Sequence, residues 1–397
     1  MRVLAVTVSF PPDLEVLRRQ VDALLGADEA PGSVPLTTNP PSLQGQDPSP
    51  SLQGRRPWQS GLLRLRLAMT EVRRHCEAAK HPSSLRAPKG RGNPEIASLP
   101  SLRAKRGNRN DEPFRHREAE GGPLSLLLVD NGSGPEALAE LRRWAAADNR
   151  VTLLELGENR GLAAAHNLGI AAARERGYSH VLLMDQDSLP APGMVAELAR
   201  AFVSLEQEDP RVAAVGPCYR DQALDNPPDF VRLHWWGIHR CTERPGHPTA
   251  AVDYLISSGC LISLAALSAI GGMQEALFID YVDIEWGLRA RRAGWTLHGV
   301  FPARMSHSLG PRIVRILWRR FPLHSPQRHY FVVRNALWLY RDGALPLAWR
   351  LPHALRLLMR FTVYLLAGDA RAERLKFVAM GIRDGLSGRM GKPSWLA

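Results

Sequence analysis

Asp185 and Asp187 stand one residue apart at the end of the apolar run Val181-Leu182-Leu183-Met184. Side chains two apart on an extended backbone point to the same side. Two hard oxygen donors therefore face one way where a buried strand meets the surface. That arrangement suits a divalent cation that also holds a diphosphate. An Asp-rich turn after a strand accounts for the same residues without a metal. Other candidates also fall at strand ends. In Val129-Asp130-Asn131-Gly132-Ser133, Asp130 can accept from a nucleobase ring N–H, or the loop can be a capping turn with Ser133 as cap before Pro135. Glu158-Asn159-Arg160-Gly161 opens a helix, and His166-Asn167-Leu168-Gly169 follows. Backbone N–H groups at a helix start plus an arginine favour a phosphate; Asn167 and Gly169 also suit plain packing.

Two further segments carry reactive types. Ser257-Ser258-Gly259 offers a small polar wall that a sugar can approach closely, or a satisfied strand end. Phe278-Ile279-Asp280-Tyr281-Val282-Asp283-Ile284-Glu285-Trp286 gathers three carboxylates ahead of Leu288-Arg289. One of them is a candidate general base. The competing explanation is acids at the positive end of a helix starting near Asp283, with a Glu285–Arg289 pair at i,i+4 spacing. His307 completes a metal shell only if the fold carries it to Asp187.

Positioning these residues takes alternating strands and helices. Val3–Ser9 reads as a strand, followed by helical spacing of Leu14, Leu17, Val21 and Leu24. Strands at Leu124–Val129, Val151–Leu156, Val181–Met184 and Val212–Gly216 alternate with helices at Pro135–Ala147, Leu162–Arg176 and Gly193–Glu206. This order predicts an α/β fold: a mostly parallel central sheet with helices on both faces. Ligands bind at the carboxyl ends of such strands. The expected organisation is a first βα unit over 1–26 and a low-complexity, disordered insertion over 27–122. The rest of the α/β domain follows over 123–311, then a basic, largely helical C-terminal region over 312–397. The insertion repeats Pro41-Ser42-Leu43-Gln44-Gly45 as Pro50-Ser51-Leu52-Gln53-Gly54. A weak helix is readable at Ser60–Lys80.

The chain has 397 residues, 51 Lys+Arg against 39 Asp+Glu, and a net charge of +12. Residues 27–122 hold 16 of the basic residues and 10 of the acidic ones, so half of the surplus lies there. Such a balance favours anionic partners: nucleic acid, acidic lipid or phosphorylated substrates. The four cysteines show no CxxC spacing, which fits a reduced, cytosolic chain. The N-terminal apolar run is too short for a signal peptide and reads as a strand. No stretch reaches the roughly 18 uncharged apolar residues of a membrane span. Arg312–Phe321 and Leu345–Leu366 mix arginines with large apolar residues, as a membrane-interface segment or a helical subdomain would.

Taken in order, Val129–Ser133, Glu158–Gly169, Met184–Ser188, Ser257–Gly259, Gly271–Arg289 and His307–Gly310 resemble family 2 glycosyltransferases of the GT-A fold, in particular their bacterial rhamnosyltransferase branch. Tyr330–Asn335 and Gly381–Gly391 extend the resemblance. It spans nearly the whole chain apart from about residues 27–122. The resemblance implies an inverting, metal-dependent transfer, with dTDP-L-rhamnose as donor and a polysaccharide or lipid-linked glycan as acceptor. Another nucleotide sugar, such as a UDP-hexose, is the alternative donor, and a non-enzymatic anion binder the alternative class. It implies Asp283 as catalytic base and Asp187 with His307 as ligands of Mg2+ or Mn2+. Asp130, Asn131, Asn159, Arg160, Gly161, Asn167, Asp185 and Gln186 would hold the donor nucleotide. Ser258, Gly259, Asp280, Glu285, Trp286 and Arg289 would shape the sugar and acceptor pocket. The implied setting is cytoplasmic, with peripheral contact to an anionic membrane and no specific nucleic acid.

Overall fold

The computed structural model describes residues 1–10, 12–26, 124–221, 230–234, 237–307, 313–316, 319–341, 347–367 and 369–396. They belong to one compact unit. The insertion expected at 27–122, with its weak helix, lies outside the described residues.

Strand β1 (Val3–Ser9) and helix α1 (Leu14–Leu25) open the chain. Next come β2 (Leu124–Asp130), α2 (Pro135–Ala147), β3 (Val151–Glu155), α3 (Leu162–Glu175) and β4 (His180–Asp185). Gln186 and Asp187 separate β4 from a short strand β5 (Ser188–Pro190), which precedes α4 (Met194–Glu208) and β6 (Val212–Asp221). A hairpin of β7 (Phe230–His234) and β8 (Gly237–Cys241) leads to β9 (Thr249–Val252), β10 (Cys260–Ser263) and α5 (Leu264–Ile270). A single helical turn at Glu275–Leu277 precedes α6 (Val282–Arg292) and the long strand β11 (Thr296–His307). The chain then forms a hairpin of β12 (Ile313–Ile316) and β13 (Arg319–Pro322), and helices α7 (Pro326–Arg341), α8 (Leu347–Ala367) and α9 (Arg371–Ser387).

The nine-stranded sheet runs β3-β2-β1-β4-β10-β6-β11-β5, with β9 paired to β11 beside that path. β1, β2, β3, β4, β6 and β11 point one way, and β5, β9 and β10 the other. The expected α/β architecture is present. Its strands are apolar on both faces because both faces are covered. Leu4, Val6, Leu127, Val129, Val181 and Leu183 pack with residues of α3, α5 and α6. Their alternates Val3, Ala5, Leu126, Leu128, Leu182 and Met184 pack with α1, α2 and α4. The period-2 geometry of a strand thus sorts one continuous apolar run into two cores.

Pro190 closes β5, an edge strand antiparallel to β11, where a missing N–H is tolerated. One local expectation is corrected. The basic stretch at 312–321, placed in a largely helical region, holds the β12–β13 hairpin instead; Ile313 and Val314 are β-branched and favour the extended form.

Candidate active site

The central strand β1 sets the site. Its register aligns Ser9 with Asp130 on one side and Val8 with Asp185 on the other. Both acids therefore emerge at the carboxyl edge of the parallel strands. Asp130 is 1 % exposed, and its carboxylate accepts from the N–H groups of Gly132 and Ser133 at 3.3 and 3.1 Å. Ser133 is not the helix cap expected from its place before Pro135: the helix starts at Pro135, so Gly134 stands at the cap position, without a side-chain hydrogen bond. Asn131 donates to Asn159 Oδ1 at 3.2 Å and accepts from the Arg160 N–H at 2.8 Å. Asn159 Oδ1 also accepts from the Gly161 N–H at 3.0 Å. Asn131, Asn159, Arg160 and Gly161 thus form one hydrogen-bonded rim at the start of α3. Gly161 has φ +87, and a Cβ there would lie 2.6 Å from the Phe278 ring, so only glycine fits.

The Asp185–Asp187 turn is built from behind. Gln20 on α1 is fully buried, and its amide donates to Asp185 O and Ser188 O, both at 2.6 Å. Thr7 in turn donates to Gln20 Oε1 at 3.1 Å. Ser258 Oγ accepts from the Asp185 N–H at 3.1 Å and donates to Ser188 Oγ at 2.7 Å. Gly259 donates to Leu183 O at 2.8 Å, fastening this corner to β4. Gln186 accepts from the Phe10 N–H at 2.7 Å. Ser258 and Gly259 therefore support the acidic turn. Sequence reading missed Gln20, whose only signal is an amide among the apolar positions Leu17, Val21 and Leu24.

Asp187 is exposed and Asp185 half-buried. Asp185 Oδ1 is buried without a hydrogen-bond partner. Burial, then the charges of Asp187 and Asp283, push the Asp185 carboxyl up to about 7. Crowded carboxylates with an unpaired buried oxygen are a donor set that a divalent cation satisfies. The β11–β5 register sets the His307 backbone opposite Ser188, the residue after Asp187. Among the described residues no three His, Cys, Asp or Glu side chains form a complete metal cluster.

The loop carrying the base candidate is strained. Phe278, Asp280 and Tyr281 all have positive φ, at 67, 64 and 65°. The Ile279 N–H donates to Leu277 O at 2.8 Å around Phe278, whose ψ is −63°, closing a γ-turn of the uncommon hand. Such conformations cost about 1–3 kcal/mol each and persist only when neighbours enforce them. Two residues of α7 do so. Arg334, fully buried, donates to Leu277 O at 2.9 Å and Gly391 O at 2.7 Å. Its Nε donates to Asn335 Oδ1 at 3.0 Å. The Asn335 amide donates to Leu277 O, Ile279 O and Asp280 O at 2.9, 2.7 and 3.0 Å. Phe278 stacks on Phe331 at 5.2 Å, and its carbonyl accepts from the Ala163 N–H at 3.3 Å. The strained loop thereby touches both the C-terminal helices and the start of α3.

Asp283 lies in the first turn of α6, where its Oδ1 accepts from the Ile284 N–H at 2.8 Å. Burial pushes its carboxyl up to about 6, against hydrogen bonds that favour the anion. Together with Asp280, Tyr281, His329, His353 and Tyr364 it lines a cavity of about 310 Å³ between this loop, α7 and α8. Asp280 is held by Arg328, whose guanidinium donates at 2.9 and 3.1 Å. The charge of Asp280, with those of Asp185 and Asp187, holds Arg328 above the ordinary arginine value. Arg328 therefore brings a fixed positive charge to the acidic corner. It was not singled out from the sequence.

Four expected pocket or donor residues make their contacts within the protein. Glu285 is 3 % exposed and pairs with Arg289 at 2.8 Å, the i,i+4 pair expected. Arg289 also donates to Ile270 O and Gly272 O at 2.9 and 2.7 Å. Trp286 is core, with its indole donating to Gly271 O at 3.0 Å. Asn167 joins α3 to Met273 through both amide atoms, at 2.9 and 2.7 Å.

The family model for Glycosyl transferase family 2 matches residues 115–271. The chain is 30 % identical over 267 residues to the dTDP-rhamnosyl transferase RfbF of Shigella flexneri, covering 67 % of this chain and 87 % of that one. It is 27 % identical over 285 residues to an N-acetylglucosaminyl-diphospho-decaprenol L-rhamnosyltransferase of Mycobacterium tuberculosis (strain CDC 1551 / Oshkosh), covering 64 % and 89 %. Residues 1–349 of S. aureus TarS overlay with a TM-score of 0.41 at 10 % identity, covering 98 % of this chain and 72 % of that one.

Two outcomes follow from this geometry. The folded chain keeps protons on Asp185 and Asp283 that an unfolded chain, with carboxyls near 3.8, has released. Their contribution to stability therefore declines as pH rises from about 4 to 7. In thermal melts without added metal, Asp185→Asn should raise Tm at about pH 8, and the gain should shrink as the pH is lowered toward 4. An equal gain at both pH values would contradict the assignment. Asn335→Ala removes the Asn335 donor from Ile279 O and Asp280 O of the strained loop, while Leu277 O keeps Arg334. Chemical denaturation should show a loss of about 3 kcal/mol.

Proposed function

The chain belongs to glycosyltransferase family 2, and from that premise we propose that it transfers L-rhamnose from dTDP-L-rhamnose, with inversion, to a hydroxyl of a polysaccharide or lipid-linked glycan. One observation carries the chemistry. Asp283 lines a cavity large enough for a sugar ring, and its charge is felt by Asp185 at the acidic turn. In this reading the base and the diphosphate-binding corner are near enough to serve one substrate. The choice of donor is supported by the 30 % identity to a dTDP-rhamnosyl transferase.

In this reading the rim of Asn131, Asn159, Arg160 and Gly161 receives the nucleotide side of the donor, and Asp130 its base. Asp187, with Asp185 and His307 beside it, would hold Mg2+ or Mn2+, which when bound offsets negative charge on the departing diphosphate. Arg328 adds a second positive charge near the same corner. Asp283, as the anion, takes the proton of an acceptor hydroxyl while that oxygen bonds to the anomeric carbon. The bond from that carbon to the diphosphate oxygen breaks, and its electron pair leaves with the nucleoside diphosphate. Attack from the face opposite the leaving group inverts the centre. Asp280 is engaged by Arg328, and Glu285 by Arg289, which leaves Asp283 as the acid of this segment able to accept a proton. Among the described residues no helix is long and apolar enough to cross a membrane. The reaction would take place in the cytoplasm or on the inner face of the cell membrane, where such acceptors are assembled.

Labelled dTDP-L-rhamnose and labelled UDP-hexoses, each with Mn2+ and a bacterial envelope preparation, test this reading. Incorporation is expected from the rhamnose donor; incorporation from a UDP-hexose alone would replace the donor assignment. Asp283→Asn should lower transfer by roughly 10²–10⁴-fold while thymidine diphosphate binding is retained. Wild-type transfer should fall as the pH drops through about 6, because only the Asp283 anion accepts a proton. Full transfer by the variant would remove Asp283 from the mechanism.

A further inference from the structure

Ten large apolar side chains are exposed among the described residues, and seven of them lie on α8 and α9. The α8 set is the most regular. Leu351, Leu355 and Leu358 are 68, 58 and 65 % exposed, and Met359 adjoins them at 41 %. Positions 351, 355 and 358 are spaced by four and three, so they make one stripe along the helix. At 3.6 residues per turn Arg350 and Arg356 lie to either side of that stripe, roughly 100° or more around the helix, and Leu347–Ala367 contains no acidic residue.

The opposite face of α8 is occupied. Trp349 and Tyr364 are buried. His353 stacks on Trp349 at 4.1 Å and hydrogen-bonds Tyr281 and Tyr340 at 3.2 and 2.5 Å. His353, Leu357, Phe361 and Tyr364 line the same cavity as Asp283. One helix thus forms a wall of the catalytic cavity on its inner side and presents leucines between arginines on its outer side.

We propose that the outer face of α8 docks the protein onto an anionic lipid bilayer, setting the Asp283 cavity at the membrane surface. This rests on the transferase reading for its purpose but not for its geometry. Amphipathic helices of this kind lie in the interface plane, with apolar side chains among the acyl chains and arginines at the headgroups. Each basic residue near an anionic surface strengthens the attachment, and salt weakens it. The basic balance of the whole chain has the matching sign. A lipid-linked glycan would then have its saccharide end beside the cavity without leaving the membrane.

The test is co-sedimentation of the full chain with vesicles of phosphatidylcholine, alone or mixed with phosphatidylglycerol. Wild type should partition onto the mixed vesicles at least roughly tenfold better, and added salt should reverse this. The combined Leu351→Ser, Leu355→Ser and Leu358→Ser variant should lose that binding while keeping thymidine diphosphate binding, which reports an intact fold. Arg356→Glu should weaken it on the mixed vesicles only. Wild type that ignores both vesicles, or a triple variant that binds as wild type does, overturns the proposal. A dimer in solution that the triple variant dissolves overturns it in favour of a second copy of this chain. Vesicle binding without any sugar transfer would contradict the transferase reading and leave the docking surface standing.

Discussion

Negative charge crowded into a buried corner is the constraint around which this molecule is organised. Parallel strands deliver Asp130 and Asp185 to one edge, and Asp187 and Asp283 approach the second of these. Carboxylates in such surroundings repel one another and lose hydration, so the arrangement is unfavourable until positive charge arrives. The fold tolerates it because the backbone beneath is fully engaged. Gln20, Ser258 and Gly259 take up polar atoms of the turn, and Asp185 Oδ1 is left as a buried oxygen without a hydrogen-bond partner. Preorganisation of this kind shifts a cost into the folded protein that binding then relieves.

The second constraint is the loop before α6. Three non-glycine residues with positive φ hold Asp283 at its place, and their conformation depends on amides and guanidinium groups from α7. The C-terminal helices therefore hold the loop that carries Asp283 and are not an appendage to the sheet. The same helices wall the cavity that Asp283 lines.

Much of this was legible in the sequence because strands buried on both faces write continuous apolar runs, and their ends can be read residue by residue. Asp130, Asp185 and Asp187 fall at those ends, and the Glu285–Arg289 pair follows from helical spacing alone. What stayed hidden depends on contacts between distant segments. Gln20 meets Asp185 across 165 positions, and Asn335 meets Ile279 across 56. No local pattern announces such partners, nor the γ-turn at Phe278, since nothing in Leu277-Phe278-Ile279 favours positive φ. Ser133 misled for a different reason: the helix starts at Pro135, so the cap position falls one residue later, on Gly134. Arg328, an ordinary arginine by sequence, acquires significance only from the three carboxylates that surround it.

The central claim is that the acidic turn and Asp283 flank one metal–diphosphate site. Crystals grown with Mn2+ and thymidine diphosphate test it through the anomalous signal of manganese. The account predicts a single peak against the Asp187 carboxylate, with the diphosphate on the side of the site that Asp283 faces. A peak away from Asp187, or a bound nucleotide whose diphosphate lies remote from Asp283, would contradict it.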